Sequence, residues 1–428
     1  MKFPEQHKHL KKAVAFAAAA FLTLPLAACS TAGTPAGQVE LNFFQFKGEA
    51  LGDFDQIIKD FEAENPGIKV LQNQQPDADT AIRTLLVKGR APDVITLNAG
   101  GKFGPLLDAG VFYDWSGEPI LDTINPAVQD IVMDLSTNRD GQYALGYVNN
   151  ADGIIYNRQI FEEQGLDVPE TWDELISVCD ALKAAGITPF YGTLADSWTV
   201  LPSFNGLGAY PAQGDFFDKM REQGGSTGPN SEVSFQKDFA EAAERQALLY
   251  SYAQTGYRGR TYDDGNAAFA SGEVAMYMQG IWAINPIKQA NPDVDAAIFP
   301  YPSTDNPDER LLVSGVDVAV AIGADTPHLE EAKKFVEFMF RPDIIERFAA
   351  SQNMIPSVTE AKWSEDAALQ SVKPFFDAGQ IAGFIDHQVP AGIPLDSIVS
   401  RGLMENNPVG AMATLDKEWA KVAARTIQ

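Results

Sequence analysis

The residue types that most often carry covalent and metal chemistry are scarce in this sequence: 428 residues contain two cysteines and four histidines. The cysteines, Cys29 and Cys179, limit any disulfide framework to one bridge. His7 and His9 lie at the extreme N-terminus, so His328 and His387 alone serve the rest of the chain, too few for a multi-histidine metal site. No Asp-x-Asp-x-Asp-Gly calcium loop occurs and Asp293-Val294-Asp295 alone is a weak signal, so calcium stays open, while no cofactor is expected. Basic residues are also few, 32 against 58 acidic, for a formal charge of −26. Such a surface repels phosphate backbones and anionic headgroups, which sets nucleic acid aside as a partner. There is no Gly-x-x-x-x-Gly-Lys-Ser/Thr loop, so any ATP hydrolysis has to come from another protein.

Long apolar runs are equally rare. The one that stands out, Ala13 to Ala28, is 16 residues and follows Lys2, Lys8, Lys11 and Lys12. It falls short of the ~20 residues that span a bilayer, and a basic start, an apolar centre and a small-residue end make residues 1–28 an export signal. Its end, Leu26-Ala27-Ala28-Cys29, resembles the lipobox of bacterial lipoproteins, in which cleavage precedes the cysteine and its thiol takes a diacylglycerol. The alternative is an ordinary secretory signal followed by an unrelated cysteine. Under the lipobox reading Cys29 is lipidated and the chain sits on the extracellular face of the cell membrane. Residues 29–38, rich in Thr, Ala, Gly and Pro, then form a flexible tether. Cys179 is left without a disulfide partner, and its spacing with Trp172, Leu175, Ile176 and Leu182 places it on a buried helix face.

What is abundant is apolar sequence, 45%, in a chain long enough for two or three domains. Glu40–Phe46, Ile68–Leu71 and Pro92–Leu97 read as strands. Between them are helices with the apolar faces Phe54, Ile57, Ile58, Phe61 and Ile82, Leu85, Leu86. This βαβαβ order predicts an α/β fold with a parallel sheet whose ligand sites lie past the carboxyl ends of its strands, where Lys47 and Asn98 stand. A second domain, with its own sheet, begins near residue 149, and Thr171 to Glu174 supplies a capping box for the Cys179 helix. A Pro-rich crossing follows Phe299. Val316, Val318, Val320 and Ile322 then alternate as a strand with Asp317 on the other face, and Thr326-Pro327 opens a helix.

These landmarks carry a resemblance. They are Phe61-Glu62-Ala63-Glu64-Asn65-Pro66-Gly67-Ile68, Gly153-Ile154-Ile155-Tyr156-Asn157-Arg158, Pro169-Glu170-Thr171-Trp172, Phe269-Ala270-Ser271-Gly272-Glu273-Val274-Ala275-Met276 with Gly280-Ile281-Trp282, and Phe299-Pro300-Tyr301-Pro302. In this order they resemble the extracellular solute-binding lipoproteins of carbohydrate ABC importers, the maltose-binding-protein-like family. Phe43-Phe44-Gln45-Phe46-Lys47 and Phe384-Ile385-Asp386-His387 look like its raffinose and isomaltose subgroup, which takes up short α-1,6-linked oligosaccharides. The resemblance implies a two-lobe, periplasmic-binding-protein-like fold, hinged around a ligand cleft. Lobe one would comprise 39–148 and 312–354, and lobe two 149–311 and 355–428. It also implies a monomer that delivers its sugar to a membrane permease with a separate ATPase.

A sugar requires charge-assisted or amide hydrogen bonds for its hydroxyls and an aromatic plane for its C–H face. Trp282, after Gly280, stands where the family's Gly-x-Trp motif puts a stacking ring, and Trp198 in a polar stretch is a second candidate, though it could equally pack under a loop. Lys47, Asn98, Gly315 and Asp317 would contribute from lobe one. Phe384, Asp386 and His387, set between Gly383 and Pro390, would clamp a terminal sugar. The expectation is a receptor that performs no catalysis. An exported glycoside hydrolase with paired carboxylates, or a glycan-binding surface adhesin, are the competing readings.

Overall fold

The computed structural model describes residues 38–426 apart from 76, 138 and 139. The export signal, Cys29 and the tether up to residue 37 lie outside the described residues. Strands β1 (Val39–Gln45), β2 (Ile68–Gln74) and β3 (Val94–Leu97) form the expected parallel sheet in the order 2-1-3. Both faces are covered, as in parallel sheets generally. Phe43 packs edge-on against Phe54 and Phe335 at 5.1 and 5.4 Å, while its neighbour Phe44 points into a different core with Ile82 and Phe103. Helix α1 (Leu51–Glu64) buries the predicted face Phe54, Ile57, Ile58 and Phe61 and ends at Asn65, whose N–H donates to the Phe61 carbonyl at 2.8 Å. Helix α2 (Ala78–Val87) ends just before Gly89, whose φ of +61° is the left-handed conformation a helix exit favours.

Five further strands are β4 (Leu145–Asn157), β5 (Thr188–Phe190), β6 (Val274–Gly280), β7 (Ala296–Phe299) and β8 (Leu312–Ile322), and two-residue strands at Ile355–Pro356 and Ile381–Ala382 add to β4 and β8. The sequence suggests two sheets, yet the strands follow one hydrogen-bonded path, 2-1-3-8-4-6-5. The reason is strand length. At about 3.3 Å per residue, the 13 residues of β4 span about 40 Å. One end of β4 therefore pairs with β8 while the other pairs with β6 and β7. β8 in turn joins β4 to β3, both antiparallel. The β4–β8 register slips between Gly146 and Val148 and again between Val148 and Asn149. Such irregularities bend a strand and increase its twist, and these fall where the sequence places the change of lobe.

Around β5 and β6 a second core gathers Leu175, Phe190, Phe204, Phe235, Met276 and Trp419. Cys179 is fully buried in it, and burial, with the Asp180 charge adding, pushes its thiol pKa up, so it is inert packing. The capping box forms: Glu174 N–H donates to Thr171 Oγ1 at 3.3 Å and Thr171 N–H to Glu174 Oε2 at 3.1 Å. One boundary moves. The helix expected from Thr326 begins at Leu329, because the Thr326 hydroxyl donates to Asp93 and accepts from the His328 N–H at 3.1 Å, which makes a turn instead of a cap.

Candidate functional site

The ends of β1, β3 and β6, the middle of β8 and one late segment supply the site. Lys47 follows β1, Asn98 follows β3, and Gly315 and Asp317 lie on one face of β8, two residues apart. Asp317 is the hub. Its Oδ2 lies 2.9 Å from Lys47 Nζ, its Oδ1 accepts from Asn150 Nδ2 at 2.9 Å, and its carbonyl accepts from Asn98 Nδ2 at 3.2 Å. Lys47 also meets Glu49 Oε1 at 2.8 Å. An ammonium has three N–H donors, so one remains for a ligand. Burial works against the Lys47 charge, but Asp317 and Glu49 together outweigh it and hold its pKa above the ordinary lysine range. Glu49 is held below the usual carboxylate range: burial opposes this, and the Lys47 hydrogen bond prevails.

Phe384 brings in the aromatic part. Its ring lies over Gly315 so closely that a Cβ there would be 2.6 Å from two ring carbons. It meets Trp282 edge-to-face at 6.5 Å and His387 at 5.0 Å. Trp282 folds back over Gly280, where a Cβ would stand 2.2 Å from the indole, and its Nε1 donates to Gln279 Oε1 at 3.2 Å. His387 Nε2 lies 3.9 Å from Asp386 Oδ2, and a Cβ on Gly100, two residues past Asn98, would be 3.7 Å from the imidazole. These contacts join Lys47, Asn98, Gly315, Asp317, Trp282, Phe384, Asp386 and His387 into one connected group. Trp198 is engaged elsewhere: it is 39% exposed and packs on Tyr262 at 5.1 Å.

Asn150, Gln279 and Asn205 also belong to the group, and sequence reasoning assigns them no role. Asn205 Nδ2 donates to Asp386 Oδ1 at 2.8 Å, and its Oδ1 accepts from the Asp386 N–H at 3.2 Å. Beneath them Asp152 is buried. Burial, with the Asp386 charge adding and an Asn205 hydrogen bond opposing, raises its pKa well above the usual carboxylate value. Asn150 could have been found from its pairing opposite Gly315, but nothing local marks Asn205.

The arrangement offers a spare ammonium N–H, amides, carboxylate oxygens and two apolar ring edges, groups able to bond hydroxyls and to cover C–H faces. Among the described residues no cluster of histidine, cysteine and carboxylate side chains could hold a metal ion.

A long strand pair shared by two packed α/β halves, with polar groups and rings at the strand ends, defines the two-lobe solute-binding class. The profile of the bacterial extracellular solute-binding protein family matches residues 48–345, and the chain belongs to that family. It is 32% identical over 320 residues to a multiple sugar-binding protein of Streptococcus mutans, covering 73% of this chain and 74% of that one. It is 23% identical to the melibiose/raffinose/stachyose-binding protein MelE of Bacillus subtilis, over 76% of each. In three dimensions it is similar to RafE of Streptococcus pneumoniae. The apo form superposes with a TM-score of 0.80 at 25% identity, covering 91% of this chain and 99% of RafE. The raffinose complex of RafE superposes at 0.72 and 26% identity, covering 90% of this chain and 100% of that one.

Proposed function

We propose that this chain is the substrate-binding lipoprotein of an ABC sugar importer. It captures short α-1,6-linked oligosaccharides, of the raffinose or isomalto-oligosaccharide type, between its lobes. The observation that carries this reading is the joining of Lys47, Asn98 and Asp317 to Phe384, Trp282, Asp386 and His387 in one group, drawn from both ends of the β4–β8 pair. Lys47, Asn98, Asp317, Asp386 and His387 bind hydroxyls. Trp282 and Phe384 take the C–H faces, Gly315 gives Phe384 its place, and Trp198 is a peripheral ring. The relatives named for sugars support the ligand class. Lobe one (39–148 and 312–354) and lobe two (149–311 and 355–428) close on the sugar, and the closed monomer docks on a permease served by a separate ATPase. A diacylglycerol on Cys29 keeps it at the extracellular face of the membrane.

A hydrolase reading needs a protonated acid within reach of the substrate. The carboxyl with a raised pKa beside this site, Asp152, is 2% exposed and so presents almost no surface to a ligand. Calorimetry of the purified protein with raffinose, isomaltotriose, panose and maltotriose tests the proposal. The expected result is micromolar binding, about −8 kcal/mol, of the α-1,6-linked sugars and weaker binding of maltotriose, with all sugars recovered intact. Preference for maltotriose would overturn the linkage assignment, and release of monosaccharide would overturn the receptor reading.

A further inference from the structure

Asp386 sits on a four-residue helical turn, Ile385–Gln388, that has no side-chain cap of its own. A short turn of this kind leaves a carboxylate free to rotate away from the cleft unless something outside the turn holds it. Asn205 does so from 181 residues away in the sequence. It is 3% exposed, in the helix Leu201–Gly208, among Pro202, Phe204 and Leu207. A buried amide in such a helix is costly unless its groups are paired. Here both ends of the amide engage Asp386: the N–H donates to Asp386 Oδ1 at 2.8 Å and the amide oxygen accepts from the Asp386 backbone N–H at 3.2 Å, while the same side chain also hydrogen-bonds Asp152. Two bonds to the same residue, one on the side chain and one on the backbone, fix both its position and its rotamer. Asp386 Oδ2 is left pointing away from the clasp, near His387.

We propose that Asn205 is a positioning residue that aims the Asp386 carboxylate at the sugar, and that its whole contribution to affinity passes through Asp386. This rests on the proposed sugar site. An amide suits the task because it orients a carboxylate without neutralising it, as a lysine in its place would. The neighbouring Asp152, on β4, is buried, and burial raises its pKa. The titratable groups around the clasp are Asp152 on β4, Tyr301 after β7, and Asp386 with His387 on the turn.

The test is a double-mutant cycle in the full chain, with raffinose and isomaltotriose as probes, for Asn205→Ala, Asp386→Ala and both together. Asn205→Ala should weaken binding about tenfold and Asp386→Ala by at least as much, while the double variant should match Asp386→Ala within about twofold. A full, additive loss from Asn205→Ala in the Asp386→Ala background would overturn the proposal, as would no loss in the wild-type background. Asn205→Asp, of the same shape, is the second variant. It can donate to Asp386 only when protonated, so its affinity relative to wild type should recover as the pH is lowered from about 8 to 5; a ratio flat with pH counts against the clasp. If the wild-type chain binds neither sugar, the sugar-site reading has failed and the positioning role falls with it. If the wild type binds and only the cycle is flat, the role of Asn205 alone is wrong.

Discussion

Trp282 is placed by what lies under it as much as by what it touches. The ring rests on Gly280, where any side chain would collide, and its indole N–H is tied to Gln279, so one edge is fixed and a face remains for a ligand. Trp282→Ala should weaken sugar binding tenfold or more, about 1.4 kcal/mol, with little change in unfolding temperature, as measured by calorimetry beside a thermal melt. Asp152 gives the opposite kind of prediction, in stability and not in affinity. Its folded-state pKa is raised, so above the unfolded value of about 4 the folded chain holds a proton that the unfolded chain has lost, and stability falls as pH rises through that window. Asp152→Asn removes the cost, so its gain in melting temperature over wild type should grow from about pH 4.5 to 7.5. A gain independent of pH would contradict the assignment. Residues at strand ends, such as Lys47 and Asn98, were legible because apolar alternation locates the strands. Asn205 was not, because its partner is remote and its helix is otherwise apolar.

Among the elements, β8 carries the most. It is buried on both faces save at Asp317, it joins the two halves through β3 and β4, and its Gly315 is the floor on which Phe384 lies. A methyl group at 315 would stand 2.6 Å from the phenyl ring, so Gly315→Ala should push Phe384 out of register with Trp282 and His387. The expected loss in sugar affinity is about tenfold, checked by calorimetry, while the same substitution at exposed Gly52, which meets nothing, should leave affinity unchanged. The βαβαβ start and the capping box at Thr171 were readable from local pattern, since each is fixed by residues a few positions apart. The fusion of two sheets into one path was not, because it depends on the pairing of β4 with β8 across more than 150 residues of chain.

For the molecule as a whole, the register shifts in β4 at 146–149, within the shared β4–β8 pair, are where we expect lobe closure to pivot. The chain superposes better on the apo form of RafE than on its raffinose complex, 0.80 against 0.72. Adding a bound sugar should therefore reduce the radius of gyration in solution scattering by roughly an ångström, in keeping with hinge closure. Identical curves with and without a sugar shown by calorimetry to bind would rule closure out. The proposed order of lobes along the chain rests on resemblance, not on periodicity, since a chain that leaves a domain and returns gives no local sign of it.

The edge-on seating of Trp282 against Phe384 has one practical consequence. Of the six tryptophans, Trp115, Trp172 and Trp419 are buried in packing, at 7% exposure or less, Trp198 is engaged with Tyr262, and Trp363 packs on Phe376 at 5.2 Å. The indole at 282 is thus an intrinsic optical reporter, and a ligand that displaces solvent from its free face should shift the ultraviolet emission of the unlabelled protein.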